Sequence, residues 1–286
     1  ILDTVKWLGK MGFEYTILPV DDKGMVSPAD LEAAIRPETI LATIMFANNE
    51  IGTIQPVKEL GEVCRRRGVM FHVDGVQAAG HIMIDIQQLP VDMMTMAAHK
   101  MYGPKGLGAL YVRKGIKLIP TLHGGGQEFG LRSGTENVPG IVGFGVAAEI
   151  AKERLARGDD KKLARLRDYF IDGVLSRIPE SHLTGAVGDD RLPFHTSFTI
   201  KYIEGEGMLL LLDAAGIAAS SGSACTSGSL EPSYVLLALG LDHTTAHGSV
   251  RLTMSHDTTK EDIDYVLEKF PAIVEKLRAM SPFYKK

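Results

Sequence analysis

The chain has 286 residues, 45% of them hydrophobic, and a formal net charge of −4 from 31 basic and 35 acidic residues, which is ordinary for one large or two moderate folded domains. The short basic clusters and the absence of long apolar runs argue against nucleic-acid and membrane partners. Two cysteines without a CxxC pair argue against a disulfide framework and a structural zinc site. We therefore expect a cytoplasmic enzyme without a bound metal.

The first part of the chain predicts strands that alternate with helices. Helices are predicted over residues 2–11, 28–36 and 57–67, and strands over residues 13–20, 40–47, 69–73, 91–97 and 109–113. Ser27 and Pro28 are typical of a helix start, and Gly68 is typical of a helix end. Residues 40–47 are continuously apolar, which predicts a buried strand. The alternation through short loops predicts an α/β fold with a mainly parallel sheet.

The second part begins with a glycine-rich loop and has a different pattern. The loop covers residues 123–135; helices are predicted over residues 137–157, 159–178, 206–215 and about 232–239, and strands over residues 194–202, 217–220 and 249–254. A capping box at Thr258-x-x-Glu261 predicts the start of a final helix, which Pro271 should kink or divide. Gly and Asp residues interrupt the pattern after residue 157. We therefore predict a large domain, residues 1–157, and a smaller α+β C-terminal domain, residues 158–286.

Three polar side chains follow predicted strands of the first domain. Asn49, Asp74 and Lys100 fall at strand ends, and parallel sheets bind ligands beyond the carboxyl ends of their strands. An amine that forms a Schiff base and a carboxylate that pairs with the pyridinium nitrogen are the groups that pyridoxal phosphate most needs. Each residue alone could be a turn former, a helix cap or a solvated lysine. Together they favour a cofactor site.

The two cysteines lie in different surroundings. Residues 220–229 contain only Ser, Gly, Ala and Thr around Cys225, a composition that predicts an exposed, flexible loop. Cys225 is therefore either a harmless surface thiol or a functional one. Cys64 lies on the predicted helix of residues 57–67, where a packed and inert thiol is expected.

Five segments together closely resemble the NifS/IscS-type cysteine desulfurases. They read NNEIG (48–52), HVDGVQ (72–77), AHKMYGPKG (98–106), HGGGQEFGLRSGT (123–135) and SSGSACTSGSLEPSYVL (220–236). These proteins are pyridoxal phosphate enzymes of fold type I in the class V aminotransferase group, and the likeness covers essentially the whole chain in the same order. The family's N-terminal portion has no counterpart in this sequence, so we expect the chain to be the later part of a longer polypeptide.

The resemblance implies a catalytic role for three residues and a substrate-binding role for a fourth. Lys100 would form the Schiff base and move the substrate proton, and Asp74 would pair with the pyridinium nitrogen. Arg251 would bind the substrate carboxylate, and Cys225 would take the sulfur as a persulfide. The implied reaction converts L-cysteine to L-alanine and delivers sulfur for iron–sulfur cluster assembly or another acceptor. The alternatives are a selenocysteine lyase and a non-catalytic, truncated binding partner.

The resemblance also implies further contacts to the cofactor. Asn49 and Gln77 would bind the phenolic oxygen, and His99 would bind the phosphate. Thr135 matches a residue that reaches the phosphate of the partner subunit, which implies a homodimer. The family's serine before this lysine segment is replaced by Ala97, so one phosphate contact should be missing.

Overall fold

The computed structural model describes residues 1–222 and 232–284. The first part contains α1 (Leu2–Lys10), α2 (Pro28–Ala34), β1 (Leu41–Met45), α3 (Val57–Arg67), β2 (Met70–Asp74), β3 (Met93–Ala97) and β4 (Gly108–Val112). The second part contains α4 (Val138–Ala156), α5 (Asp159–Arg177), β5 (Ser181–Leu183), β6 (His195–Ile200), α6 (Gly205–Ala214), α7 (Tyr234–Ala238), α8 (His243–His247), β7 (Ser249–Thr253) and α9 (Lys260–Met280).

The first sheet has the strand order β1-β2-β3-β4. Strands β1, β2 and β3 are parallel, whereas β4 runs antiparallel to β3. Helix α3 buries Leu60, Val63 and Cys64 in the core. The sheet is mainly parallel, which confirms the predicted α/β class. Because the parallel strands point the same way, the segments that follow them emerge at one edge of the sheet.

The second sheet is antiparallel, with the order β5-β6-β7. All six residues of β6 are buried, and Phe198 at its centre packs edge-on against Phe170 of α5. Buried apolar side chains of both sheets join in one continuous core. Only Arg157 and Gly158 lie between α4 and α5, and Gly158 has a left-handed backbone (φ 74°). The predicted domain boundary falls at this residue and stays a prediction.

Two predicted strands are wrong, and a third is less buried than predicted. Residues 13–20 form no strand, because no other backbone among the described residues completes a ladder with them. Strand β1 is partly exposed rather than buried, since it is an edge of the described sheet. Residues 217–220 reduce to one bridge, in which Ser220 exchanges two backbone hydrogen bonds with Arg251.

Of the predicted kink or division at Pro271, the division does not occur, because α9 is one continuous helix. Its capping box is shifted by one residue and uses Thr259 and Asp262. Pro271 has no N–H to donate to the carbonyl of Leu267, four residues earlier. That carbonyl instead accepts a hydrogen bond from Arg177 Nη1 of α5 at 3.1 Å. The replacement donor explains how the helix continues through the proline.

Helix α4 presents an uncovered apolar face. Its exposed side chains recur at helical spacing and are Val138, Ile141, Val142, Val146 and Ile150. A contiguous apolar face of this kind is typical of an interaction surface. In the described part of the chain, no helix combines the length and the hydropathy that crossing a membrane requires.

Candidate active site

The ends of three parallel strands place the predicted residues at one edge of the first sheet. Asn49 follows β1, Asp74 is the last residue of β2, and Lys100 lies in a 3₁₀ turn (Ala98–Met101) that directly follows β3. Strand pairing sets Met45 opposite Asp74 and Asp74 opposite Thr95. The three residues therefore leave the sheet on the same side.

A tight turn fixes the backbone around Asp74. Its Oδ1 accepts a hydrogen bond from Val76 N at 3.0 Å, and Ala79 N donates to Gly75 O at 2.9 Å. A Cβ on Gly75 would lie 3.0 Å from the Met94 side chain, so glycine permits a close approach to β3. Asp74 itself remains partly exposed. The carboxylate is therefore held by the turn while solvent, or a ligand, can reach it.

Lys100 presents an exposed amine on a closed turn. Gly103 N donates to Ala98 O at 2.9 Å, and Tyr102 has a left-handed backbone (φ 66°). The Lys100 carbonyl accepts a hydrogen bond from His81 Nε2 at 2.7 Å. Within the described ranges, Lys100 Nζ makes no hydrogen bond or ion pair. The main chain of the lysine is thus anchored, and its amine is available for a bond to an aldehyde.

An arginine of the second sheet reaches this edge. Arg251 of β7 donates from Nη1 to the carbonyl of Asn49 at 2.6 Å. His195 Nε2 lies 3.1 Å from the same oxygen and donates to it, because a carbonyl only accepts. Burial, followed by the charge of Arg191, lowers the pKa of His195 to about 3, so this ring is neutral at pH 7. The contact joins the predicted carboxylate-binding residue to the predicted cofactor edge.

A buried carboxylate lies beside that arginine. Glu50 is 3% exposed and accepts a hydrogen bond from the hydroxyl of Ser233. Burial raises the pKa of Glu50, while the Ser233 hydrogen bond and the charge of Arg251 oppose the shift. A Cβ on Gly222 would lie 3.1 Å from Glu50 Oε2, so both described ends of the segment around Cys225 meet at Glu50. Cys225 itself lies outside the described residues.

The structure gives less information on the contacts of the remaining predicted residues. Gln77 is partly exposed on the Asp74 turn, and His99 is exposed beside Lys100. Thr135 lies on the exposed loop before α4 and makes no hydrogen bond to another described residue. Ala97 ends β3 and brings no hydroxyl to the site. The cofactor contacts of these residues stay predictions.

Sequence reasoning missed three residues that organise the site. His81, His195 and Glu50 are all buried and all bond to segments of the site. The His195 contact spans 146 positions and the Glu50 contact spans 183 positions. Glu50 lies in the NNEIG segment, but no sequence spacing indicates such distant pairings. Only the folded arrangement reveals them.

The donor set fits pyridoxal phosphate. Lys100 offers an unengaged amine, Asp74 offers a carboxylate at the neighbouring strand end, and Gln77 offers an amide on the same turn. These are the groups that an aldehyde, a pyridinium nitrogen and a phenolic oxygen require. Among residues 1–222 and 232–284, no group of three His, Cys, Asp or Glu side chains is placed to hold a metal ion.

Comparisons with known proteins agree with this arrangement. Residues 4–266 match the family described as aminotransferase class V. The whole chain is 54% identical to a cysteine desulfurase IscS of Methanosarcina thermophila, covering 70% of that protein, and 52% identical to one of Clostridium botulinum (strain Hall), covering 72%. A solved NifS-like protein superposes with a TM-score of 0.88 at 38% identity, over 96% of this chain and 72% of that one. A NifS-like protein from Rickettsia africae gives a TM-score of 0.83 at 31% identity, over 94% of this chain and 72% of that one.

Proposed function

The chain belongs to the class V aminotransferase family, in the group of the IscS and NifS cysteine desulfurases, and on this basis we propose that it is a pyridoxal phosphate-dependent cysteine desulfurase. It would convert L-cysteine to L-alanine and transfer the sulfur to its own Cys225. One observation supports the proposal independently of the similarity to the IscS and NifS proteins. The 2.6 Å hydrogen bond from Arg251 to the Asn49 carbonyl holds a guanidinium group at the edge that bears Asp74 and Lys100, which supports a substrate-binding role for Arg251.

Each residue at this edge has a defined task in the proposed enzyme. Pyridoxal phosphate supplies an electron sink for the carbon that bears the amino group of the substrate. Lys100 would hold the aldehyde carbon and carry the proton of the substrate carbon on Nζ. Asp74 would keep the pyridinium nitrogen protonated, while Asn49 and Gln77 would bind the phenolic oxygen. His99 would bind the phosphate.

Arg251 would bind and orient the substrate. A guanidinium group binds a carboxylate through two parallel hydrogen bonds, which fixes direction as well as position. Arg251 is partly buried, and its bond to Asn49 restrains the side chain before substrate arrives. The amino group of the bound amino acid would then face the lysine edge.

Cys225 would take the sulfur. Its thiolate attacks the sulfur of the substrate, an S–S bond forms, and the C–S bond breaks with its electron pair on carbon. That carbon takes up a proton, and the product leaves as alanine. Cys64 does not suit this role, since it is 1% exposed and burial raises the pKa of its thiol to about 11.

The proposal includes where the sulfur goes. The persulfide would pass to an acceptor protein, such as an iron–sulfur scaffold, in the cytoplasm.

The proposal also includes a dimeric assembly. A homodimer would cover the apolar face of α4 and bring Thr135 to the phosphate of the partner's cofactor. Light scattering after size exclusion tests the assembly: a dimer that Val142→Glu converts to monomer supports it, and a monomeric parent protein refutes it.

The test of the activity compares matched pairs of variants. With pyridoxal phosphate and L-cysteine, the parent protein and Cys64→Ala should release alanine, while Cys225→Ser should lose on the order of 100-fold or more of this activity. Lys100→Ala should lose the visible absorption of the bound cofactor, whereas Lys105→Ala, at an exposed lysine nearby, should keep it. Equal activity of Cys225→Ser and the parent, or a preference for L-selenocysteine with little action on L-cysteine, would refute the proposal.

A further inference from the structure

His81 is a buried histidine at the back of the Lys100 turn. It is 7% exposed, and its Nε2 donates to the carbonyl of Lys100 at 2.7 Å. Burial is the largest cause that lowers the pKa of His81, and the nearby charges of His256 and Lys100 act in the same direction. The ring is therefore neutral at pH 7, with its hydrogen on the nitrogen that faces the carbonyl.

The same histidine ends the turn that begins at Asp74. Its backbone N–H donates to Ala78 O at 3.0 Å, and Ala78 N donates to Gly75 O at 3.0 Å. The turn also packs tightly on the lysine segment, because a Cβ on Gly80 would lie 2.8 Å from Met101 Cβ. The hydrogen bond from His81 therefore joins the turn of the carboxylate to the turn of the lysine.

The His81 ring also packs against residues that flank strands of the second sheet. Phe194, the residue before β6, lies 4.4 Å from His81 between ring centroids, at an interplanar angle of 43°. His256, which follows β7, lies parallel to it at 6.5 Å. The neighbour of Phe194 is His195, which donates to the Asn49 carbonyl. The residues that orient the His81 imidazole thus belong to the second sheet and its flanking segments, and the same sheet carries Arg251.

We propose that His81 is a positioning residue that holds the Lys100 main chain at a fixed place relative to Asp74 and to the second sheet. The inference rests on the proposed function, because that function gives Lys100 its task. His81 acts through the lysine carbonyl and touches no reacting atom. The Nε2–H hydrogen bond of His81, rather than the size of its side chain, holds the Lys100 main chain in place.

Binding of pyridoxal phosphate to matched variants tests this inference. His81→Leu keeps an apolar side chain but removes the donor, and it should weaken the affinity for pyridoxal phosphate about 3- to 10-fold. His81→Gln restores an N–H donor and should bind within about twofold of the parent. His182→Leu, at an exposed histidine of β5, should change nothing. Equal losses in His81→Leu and His81→Gln, or no loss in His81→Leu, would overturn the inference.

A second measurement needs no cofactor. In the parent protein labelled with ¹⁵N-histidine, NMR at pH 7 should show His81 and His195 as neutral Nε2–H tautomers, since each donates from Nε2 to a backbone carbonyl. One of these two signals should be absent in His81→Gln, which assigns it to His81. An Nδ1–H tautomer, or a charged ring at neutral pH, would overturn the inference. Because no readout depends on turnover, a protein that binds pyridoxal phosphate but releases no alanine would refute the proposed function alone.

Discussion

Replacing Arg177 by methionine tests how α9 accommodates a proline in its interior. The Leu267 carbonyl belongs to a residue that is 2% exposed, and Arg177 Nη1 supplies the hydrogen bond that Pro271 cannot. A hydrogen bond of this type contributes about 0.5 to 1.5 kcal/mol net. Because Arg177 is itself exposed, we expect Arg177→Met to lower the free energy of unfolding by about 1 kcal/mol, or the melting temperature by about 2 to 3 °C.

A double-mutant cycle with Pro271→Ala isolates this contact. Alanine restores a backbone N–H to the Leu267 carbonyl, so Arg177→Met should cost close to nothing in that background. The coupling energy from urea unfolding should then be about 1 kcal/mol. The hydrogen bond from Lys260 is the main cause that lowers the pKa of Asp264, and the charge of Arg177 adds a smaller effect, which is lost equally in both backgrounds and cancels. An equal loss in both backgrounds would refute the explanation of how the helix passes its proline.

Three further predictions concern burial. The pKa of Glu50 is raised above 4.5, so the folded state binds the carboxyl proton of Glu50 more tightly than the unfolded state does. The free energy of unfolding should therefore fall as pH rises from 4.5 through the folded-state pKa. Glu50→Gln should flatten that part of the profile in urea titrations, and an unchanged slope would contradict this prediction. In Cys225→Ala, Cys64 should resist a thiol reagent until urea unfolds the chain, and labelling of the native protein would show that the thiol is accessible. Phe198→Ala should cost about 3 to 5 kcal/mol by unfolding, whereas Phe283→Ala, at a side chain 77% exposed, should stay within about 0.5 kcal/mol; similar losses would place Phe198 outside the core.

Elements with a local cause could be predicted from sequence. Ser27 and Gly68 mark helix ends because a side-chain oxygen caps α2 and a left-handed glycine ends α3. The placement of Asp74 and Lys100 at strand ends follows from hydrophobic runs that stop before a turn. Such features depend on residues within one or two turns of chain, which the sequence displays directly.

Features that depend on distant partners could not be predicted. Residues 13–20 have the composition of a strand but lack a neighbouring ladder, and Pro271 has a distant arginine that compensates for it. The hydrogen bonds of Glu50 and His195 join segments that only the fold brings together. Local pattern sets what a segment can form, and tertiary partners decide whether it does.

The shared acceptor of Arg251 and His195 is a main-chain oxygen, that of Asn49, rather than a side chain. Every amino acid carries that oxygen, so no point substitution at position 49 deletes it. In the proposed enzyme, variation of the Asn49 side chain would alter the electronic environment of the cofactor while leaving the anchor of the substrate-binding arginine in place. The environment of the cofactor and the anchor of the arginine are therefore separable at position 49.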